Sequence, residues 1–82
     1  MTILQHYNID RYAPKNMLRR YRYELIREET PTGTQDVLIL ASIDLLDRAT
    51  GKTIRQRKVK GVVRVPEHVR REIRVLYGSQ VS

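Results

Sequence analysis

Cysteine, tryptophan and phenylalanine are all absent from this chain of 82 residues. The lack of cysteine excludes disulfide bonds, thiol catalysis and cysteine–zinc sites, and it is typical of a reducing, intracellular compartment such as the cytoplasm. The only aromatic side chains are five tyrosines, so they must supply the aromatic packing of any core. His6 and His68 are the only histidines and show no metal-binding spacing, so we expect no metal and no cofactor.

Long apolar segments and nucleotide-binding glycine motifs are missing as well. No apolar run approaches the ~18 residues that a membrane-spanning helix requires, and the first residues lack the pattern of a secretory signal. The glycine of segment 51–53 has no upstream glycine at the spacing of a phosphate-binding loop. The sequence therefore predicts no membrane contact, no recognisable small-molecule substrate and no enzymatic activity.

Acidic side chains are scarce relative to basic ones. Nine Asp and Glu residues stand against sixteen Lys and Arg, which gives a formal net charge of +7, and Arg outnumbers Lys twelve to four. A guanidinium group makes bidentate hydrogen bonds to phosphate and guanine and stacks on bases, whereas Lys would suffice for solubility. This excess predicts a polyanionic partner, with nucleic acid as the first hypothesis.

Side-chain alternation predicts a first strand over residues 17–28. The tyrosines of this segment fall on one face and Arg20 and Arg22 on the other, as the period of two in a strand requires. Tyrosines in this arrangement are more often core residues than platforms on which bases stack. A polar loop with Pro and Gly, residues 28–34, then reverses the chain.

The nearly all-apolar segment 37–46 predicts a second, central strand. Because both of its faces are apolar at the start, we expect a helix to cover one face and another surface, such as a second subunit, to cover the other. Residues 47–52 predict a hairpin connection in which Asp47 bonds the backbone amides ahead of it and Gly51 takes a positive φ. A third strand follows over residues 52–60, with a bulge or bend at the next glycine.

A C-terminal helix over residues 66–77 is the clearest element. It begins with a proline and is followed by a glycine, which suit the start and the end of a helix. Val69, Ile73 and Leu76 repeat at helical spacing and predict an apolar stripe that packs on the sheet.

The two ends of the chain are harder to assign. Residues 1–16 contain apolar side chains whose spacing fits neither period, so they form either a short strand or an arm that packs on the sheet or on a partner molecule. Residues 79–82 are expected to fray. The predicted fold is α+β: a single β-β-β-α domain over residues 17–78, with a small antiparallel sheet of three or four strands and one helix packed on it.

Basic side chains are grouped in three segments, and each group predicts a nucleic-acid contact. The third strand and the residues after it carry no acidic residue and contribute Arg55, Arg57, Lys58, Lys60 and Arg64; the first strand contributes Arg19, Arg20 and Arg22, and the helix contributes Arg70 and Arg74. On the third strand, the two arginines share one face and the two lysines the other, so an edge strand could reach phosphates on both sides. The competing interpretation is a charged edge strand that only prevents sheet-to-sheet aggregation.

Two alternatives to direct nucleic-acid binding stay open. One is a protein-binding adaptor or inhibitor, for example a viral or plasmid-encoded factor that acts on a nucleic-acid enzyme, with the apolar second strand and residues 1–16 as surface for a partner or a homodimer. The other is a small metal-independent ribonuclease with His68, Glu72 and Tyr77 as acid–base candidates.

Overall fold

The computed structural model describes residues 2–78, and within them four strands and one helix. The sheet is antiparallel, in the order β1-β2-β3-β4, and the helix follows its last strand. The elements are β1 (Thr2–Ala13), β2 (Met17–Thr30), β3 (Gly33–Asp47), β4 (Thr53–Lys58) and α1 (Glu67–Tyr77). The predicted α+β fold is confirmed, and the sheet has the fourth strand. Helices within residues 2–78 fall short of the length and apolar character that a bilayer crossing requires.

The N-terminal segment forms the twelve-residue strand β1 at one edge of the sheet. A register shift between Ile3 and Gln5 interrupts its pairing with β2. Because such an irregularity breaks the period of two, the apolar spacing alone did not distinguish a strand from an arm. Beyond the shift, Tyr7 and Ile9 alternate regularly and are both buried.

The connection between β2 and β3 is much shorter than the polar loop predicted over residues 28–34. Only Pro31 and Thr32 separate the two strands. Arg27 donates two hydrogen bonds to the Asp36 carboxylate across the hairpin, at 2.9 and 3.3 Å. The loop prediction was wrong in extent because cross-strand polar pairs stabilise strand ends as well as apolar ones do.

Helix α1 packs on one face of the sheet, which we call the helix-covered face; the opposite side is the open face. Residues directly opposite each other in an antiparallel pair project to the same side, so the register assigns each residue to a face. The core beneath the helix consists of Tyr7, Ile9, Tyr23, Leu25, Leu38, Val65, Val69 and Ile73. Tyr21 is half-buried against this cluster, so the core interpretation of the β2 tyrosines is confirmed for Tyr23 and holds in part for Tyr21.

The apolar stripe of α1 differs from the prediction in its third member. Val69 and Ile73 are buried as expected, but Leu76 is 59% exposed. Tyr77 takes the place predicted for Leu76, with its ring edge-to-face against Tyr7 at 4.9 Å between centroids. The contacts thus repeat at i, i+4 and i+8, and the last of them is made to β1.

Strand β3 lies between β2 and β4 and is apolar on both faces near its start, as predicted. Leu38 packs in the core under the helix. Val37 and Ile39 lie on the open face and form a second buried cluster with Ile26 of β2. The side chains at positions 37–39 are therefore buried whichever face they project from.

The chain continues along β3 after β4 ends at Lys58, two residues earlier than predicted. It bends at Gly61, where φ is +77°, a conformation that glycine adopts without steric cost. It then returns to the sheet, where the Leu40 N–H donates a hydrogen bond to the Val63 carbonyl oxygen at 3.0 Å. The predicted bend is confirmed.

Candidate functional site

Two of the predicted site arginines lie beside carboxylates, one hydrogen-bonded and one at a longer distance. Arg20 donates hydrogen bonds to both carboxylate oxygens of Asp10, at 2.8 and 3.0 Å, and this contact holds the pKa of Asp10 below its usual range. Arg64 lies 3.7 Å from a carboxylate oxygen of Glu28. Arg20 can reach a ligand only by giving up its hydrogen bonds to Asp10, whereas the Arg64 contact exceeds hydrogen-bond length.

Arg22 and Arg70 have looser carboxylate contacts. The Arg22 guanidinium lies 3.9 Å from Oδ2 of Asp44 on the open face, and Arg70 lies 3.9 Å from Glu67 one turn earlier on the helix. Both distances exceed hydrogen-bond length. These contacts lower the local charge without fixing the guanidinium groups by hydrogen bonds to these carboxylates.

The other predicted site residues have no carboxylate at ion-pair distance within residues 2–78. They are Arg19, Arg55, Arg57, Lys58, Lys60 and Arg74. All six are exposed. Lys58 lies on the open face, Lys60 lies in the bend after β4, and Arg74 lies on the helix. The remaining three arginines share one surface.

Two rows of residues cross strands β2, β3 and β4 side by side on the helix-covered face, next to the core. One row runs Arg19, Leu45, Arg55, and the next runs Tyr21, Ile43, Arg57. We call these six residues the arginine groove. The register explains their convergence, because Arg19 is opposite Leu45 and Leu45 is in turn opposite Arg55, so that two segments distant in sequence flank the same aliphatic side chain.

The arginine groove is a shallow depression of about 340 Å³. Its floor of Tyr21, Ile43 and Leu45 is half-buried, while the three arginines are exposed around it. Asp44 also contributes to the wall, but its side chain belongs to the open face by register. Guanidinium groups beside a low-dielectric floor and without counter-charges produce a positive potential that attracts anions.

The predicted cluster of Arg19, Arg20 and Arg22 is divided by the sheet. Arg19 joins the groove on the helix-covered face, while Arg20 and Arg22 lie among the polar residues of the open face. Sequence reasoning did not find Ile43 and Leu45 as groove residues. The signal was present in the hairpin connection at residues 47–52, which sets the register of these positions against β4.

Two of the three acid–base candidates of the ribonuclease alternative, Glu72 and Tyr77, make structural contacts. Glu72 accepts a hydrogen bond from Arg11 of β1. The Tyr77 hydroxyl donates to the Asn8 carbonyl oxygen at 3.0 Å and accepts from the Asn8 N–H at 3.1 Å. Within residues 2–78, no group of three or more His, Asp and Glu side chains is arranged to hold a metal ion.

Comparison of the chain with protein-family models, with curated proteins and with solved structures gives no match. The function must therefore be argued from the chemistry of the surface.

Proposed function

We propose that this protein binds nucleic acid and that the arginine groove is the contact surface. The observation that supports this function is the convergence of Arg19, Arg55 and Arg57, none with a carboxylate at ion-pair distance in the part of the chain that the structure describes, around a half-buried apolar floor. The other arginines of the strands lie at ion-pair distance from carboxylates. The arginine groove differs from its surroundings because its cations have no such partner in the described residues.

The groove chemistry suits a sugar–phosphate backbone. Each guanidinium fork donates two parallel hydrogen bonds to a phosphate. Arg55 and Arg57 are two residues apart on one face of a strand, a separation of roughly 6.7 Å, so they reach different phosphate groups of an extended backbone. The floor offers apolar surface and the Tyr21 ring to sugars and bases, which is a sequence-tolerant contact.

The test measures binding of fluorescein-labelled single-stranded and duplex DNA and RNA by anisotropy over a range of salt concentrations. We expect log Kd to rise steeply with log salt, because bound phosphates release counterions. The variant Arg55→Ala/Arg57→Ala removes two phosphate contacts and should reduce the slope by roughly 1.4 to 1.8. The affinities for the four nucleic acids show whether the protein prefers single strands or duplexes, and DNA or RNA.

The matched control is Arg27→Ala/Arg64→Ala, which lowers the formal charge by the same two units. Both of these arginines already face carboxylates, Asp36 and Glu28, so their removal should change affinity little. Equal losses in the two variants would mean that only the total charge matters, and the groove would not be the binding surface.

A second candidate function is a protein contact, as a homodimer or an adaptor, through the outer side of α1. Val75 is 83% exposed and its neighbour Leu76 59% exposed, and exposed apolar groups of this size favour a protein partner. Sedimentation equilibrium of the wild type and of Val75→Asp tests the homodimer. A monomeric wild type would remove the homodimer and leave only a contact with a different protein, and a dimer should become monomeric in the variant.

A further inference from the structure

A row of polar side chains crosses the open face of the sheet at Ser42. The register places Arg22 of β2 opposite Ser42 on one side and Lys58 of β4 opposite it on the other. Asn8 of β1 is opposite Arg22 and extends the row. Directly opposed residues project to the same face, so a short hydroxyl side chain lies between two long cationic ones.

This row coincides with a depression of about 270 Å³. Ser42 is 5% exposed, and Arg22, Lys58 and Gln56 contribute to the walls. The neighbouring Ala41 has no register partner on β2, because the β2–β3 pairing shifts there. A bulge of this kind redirects side chains next to it, and it occurs often beside functional sites.

Two cations and two carboxylates surround Ser42, but neither cation donates a hydrogen bond to a carboxylate within residues 2–78. Lys58 has no carboxylate at ion-pair distance within residues 2–78, and Arg22 lies 3.9 Å from Oδ2 of Asp44, beyond hydrogen-bond length. Asp44 competes with any anion for Arg22, and its Oδ1 is buried without a hydrogen-bond partner. A second carboxylate at the depression, that of Glu24, lies 3.5 Å from Nδ1 of His6.

We infer that the notch formed by Arg22, Ser42 and Lys58 binds a single phosphate group. The guanidinium fork, the ammonium group and the hydroxyl together supply donors from three sides to a tetrahedral oxyanion. The small serine leaves space for that group between the longer side chains. The inference goes beyond the proposed function, because the notch lies on the face opposite to the arginine groove and recognises one phosphate and not a polymer.

The test titrates inorganic phosphate into isotope-labelled protein at low ionic strength and follows the backbone amide shifts by NMR. We expect saturable shifts centred on Arg22, Ser42 and Lys58. Lys58→Ala should weaken phosphate binding by about tenfold and Ser42→Ala by about fivefold, as expected for losing a charged and a neutral hydrogen bond.

Asp44→Asn provides a test of opposite sign. It removes the carboxylate that competes for Arg22 while keeping the side-chain shape, and so it should strengthen phosphate binding several-fold. A structural role of this row would not produce tighter binding. Unchanged or weaker phosphate binding in Asp44→Asn, with the fold intact by circular dichroism, would overturn the inference.

Arg55→Ala/Arg57→Ala separates this inference from the proposed function. The double variant alters the arginine groove on the other face, so phosphate binding at the notch should persist. If the phosphate shifts instead centre on the groove and vanish in this variant, the notch is not a phosphate site. Absence of saturable binding in the wild type would overturn the inference equally, whatever the outcome with nucleic acid.

The source of the phosphate is resolved by comparing ligands. AMP against adenosine tests a free phosphate monoester, and an oligonucleotide with and without a 5′ phosphate tests a nucleic-acid end. A phosphate-dependent gain in affinity for either pair that is lost in Lys58→Ala supports the inference. Equal affinity within both pairs contradicts it.

Discussion

The two edge strands of the sheet, β1 and β4, differ in how their charged groups are satisfied. On β1, Asp10 is paired with Arg20 and Arg11 with Glu72, so the charges of this edge are neutralised within the protein. On β4, Arg55, Arg57 and Lys58 are exposed, and none has a carboxylate at ion-pair distance in the described part of the chain.

The backbone and the apolar side chains of β1 are also packed more fully into the protein than those of β4. The Tyr77 hydroxyl binds both the N–H and the carbonyl oxygen of Asn8 on β1, and Tyr7 and Ile9 of this strand are buried in the core. All six residues of β4 are exposed. Strand β1 is thus built into the molecule, whereas β4 presents its charges to solvent, and a ligand for those charges is expected at β4.

The largest expected difference between the edges is in stability. Tyr7→Ala removes a fully buried ring and should lower the free energy of unfolding by roughly 3 to 5 kcal/mol. Ile54→Ala on β4 alters a side chain that is 53% exposed and should cost under about 1 kcal/mol. Urea unfolding followed by circular dichroism measures both. Equal losses would show that β4 contributes as much to folding as β1.

The next largest effect is expected in binding. Arg55→Glu/Arg57→Glu places two negative charges in the arginine groove and should weaken nucleic-acid binding by about 100-fold, the product of two tenfold losses. The matched reversal Arg27→Glu/Arg64→Glu has the same net charge and should cost much less. Anisotropy titrations at one salt concentration compare the two variants, and similar losses would contradict a localised site.

The hydroxyl of Tyr77 provides a smaller test of the β1 edge. Tyr77→Phe should lower the free energy of unfolding by about 1 kcal/mol and accelerate hydrogen exchange of the Asn8 amide, because the hydroxyl bonds both backbone groups. Tyr12→Phe is the control, since Tyr12 is 81% exposed and contacts Arg48 through its ring. Slow exchange at Asn8 in Tyr77→Phe would show that the hydroxyl does not protect this edge.

The smallest effect is expected in the pH dependence of stability. The Arg20 guanidinium lowers the pKa of Asp10 in the folded protein, so this pair stabilises the fold above the carboxyl's unfolded pKa. That contribution is lost as the pH falls through the lowered pKa. Asp10→Asn should therefore lower stability at pH 7 by under about 1 kcal/mol, as for exposed ion pairs, and not at pH 2. A difference between wild type and variant that persists at pH 2 would contradict this assignment. Arg55 has no carboxylate at ion-pair distance in the described residues and provides the control. Arg55→Ala should show the same pH dependence of stability as the wild type.

Much of the fold could be predicted because its signals are local. The hairpin connection at residues 47–52 forms as expected: the Asp47 carboxylate accepts hydrogen bonds from the Ala49 and Thr50 N–H groups, and Gly51 has φ of +74°. These contacts join residues two or three positions apart, so they can be predicted from the sequence. Alternation in β2 and periodicity in α1 are local in the same sense.

The candidate site was less predictable because its composition depends on neighbours that are distant in sequence. Arg19 and Arg20 are adjacent in sequence and have the same side chain. Arg20 meets Asp10 because β1 pairs with β2 in one particular register, whereas Arg19 projects to the other face. No local pattern distinguishes the two arginines.

The order of amino acids was enough to establish the positive charge, the excess of arginine, the strand periodicity and the C-terminal helix, since these depend on composition and short-range backbone preferences. Folding into this sheet is what establishes which cations have no carboxylate at ion-pair distance in the described residues. Ion pairs such as Arg11 with Glu72 join residues 61 positions apart, and strand register sets which charges meet. The groove and the notch exist where that register opposes cationic side chains to aliphatic or small ones instead of carboxylates.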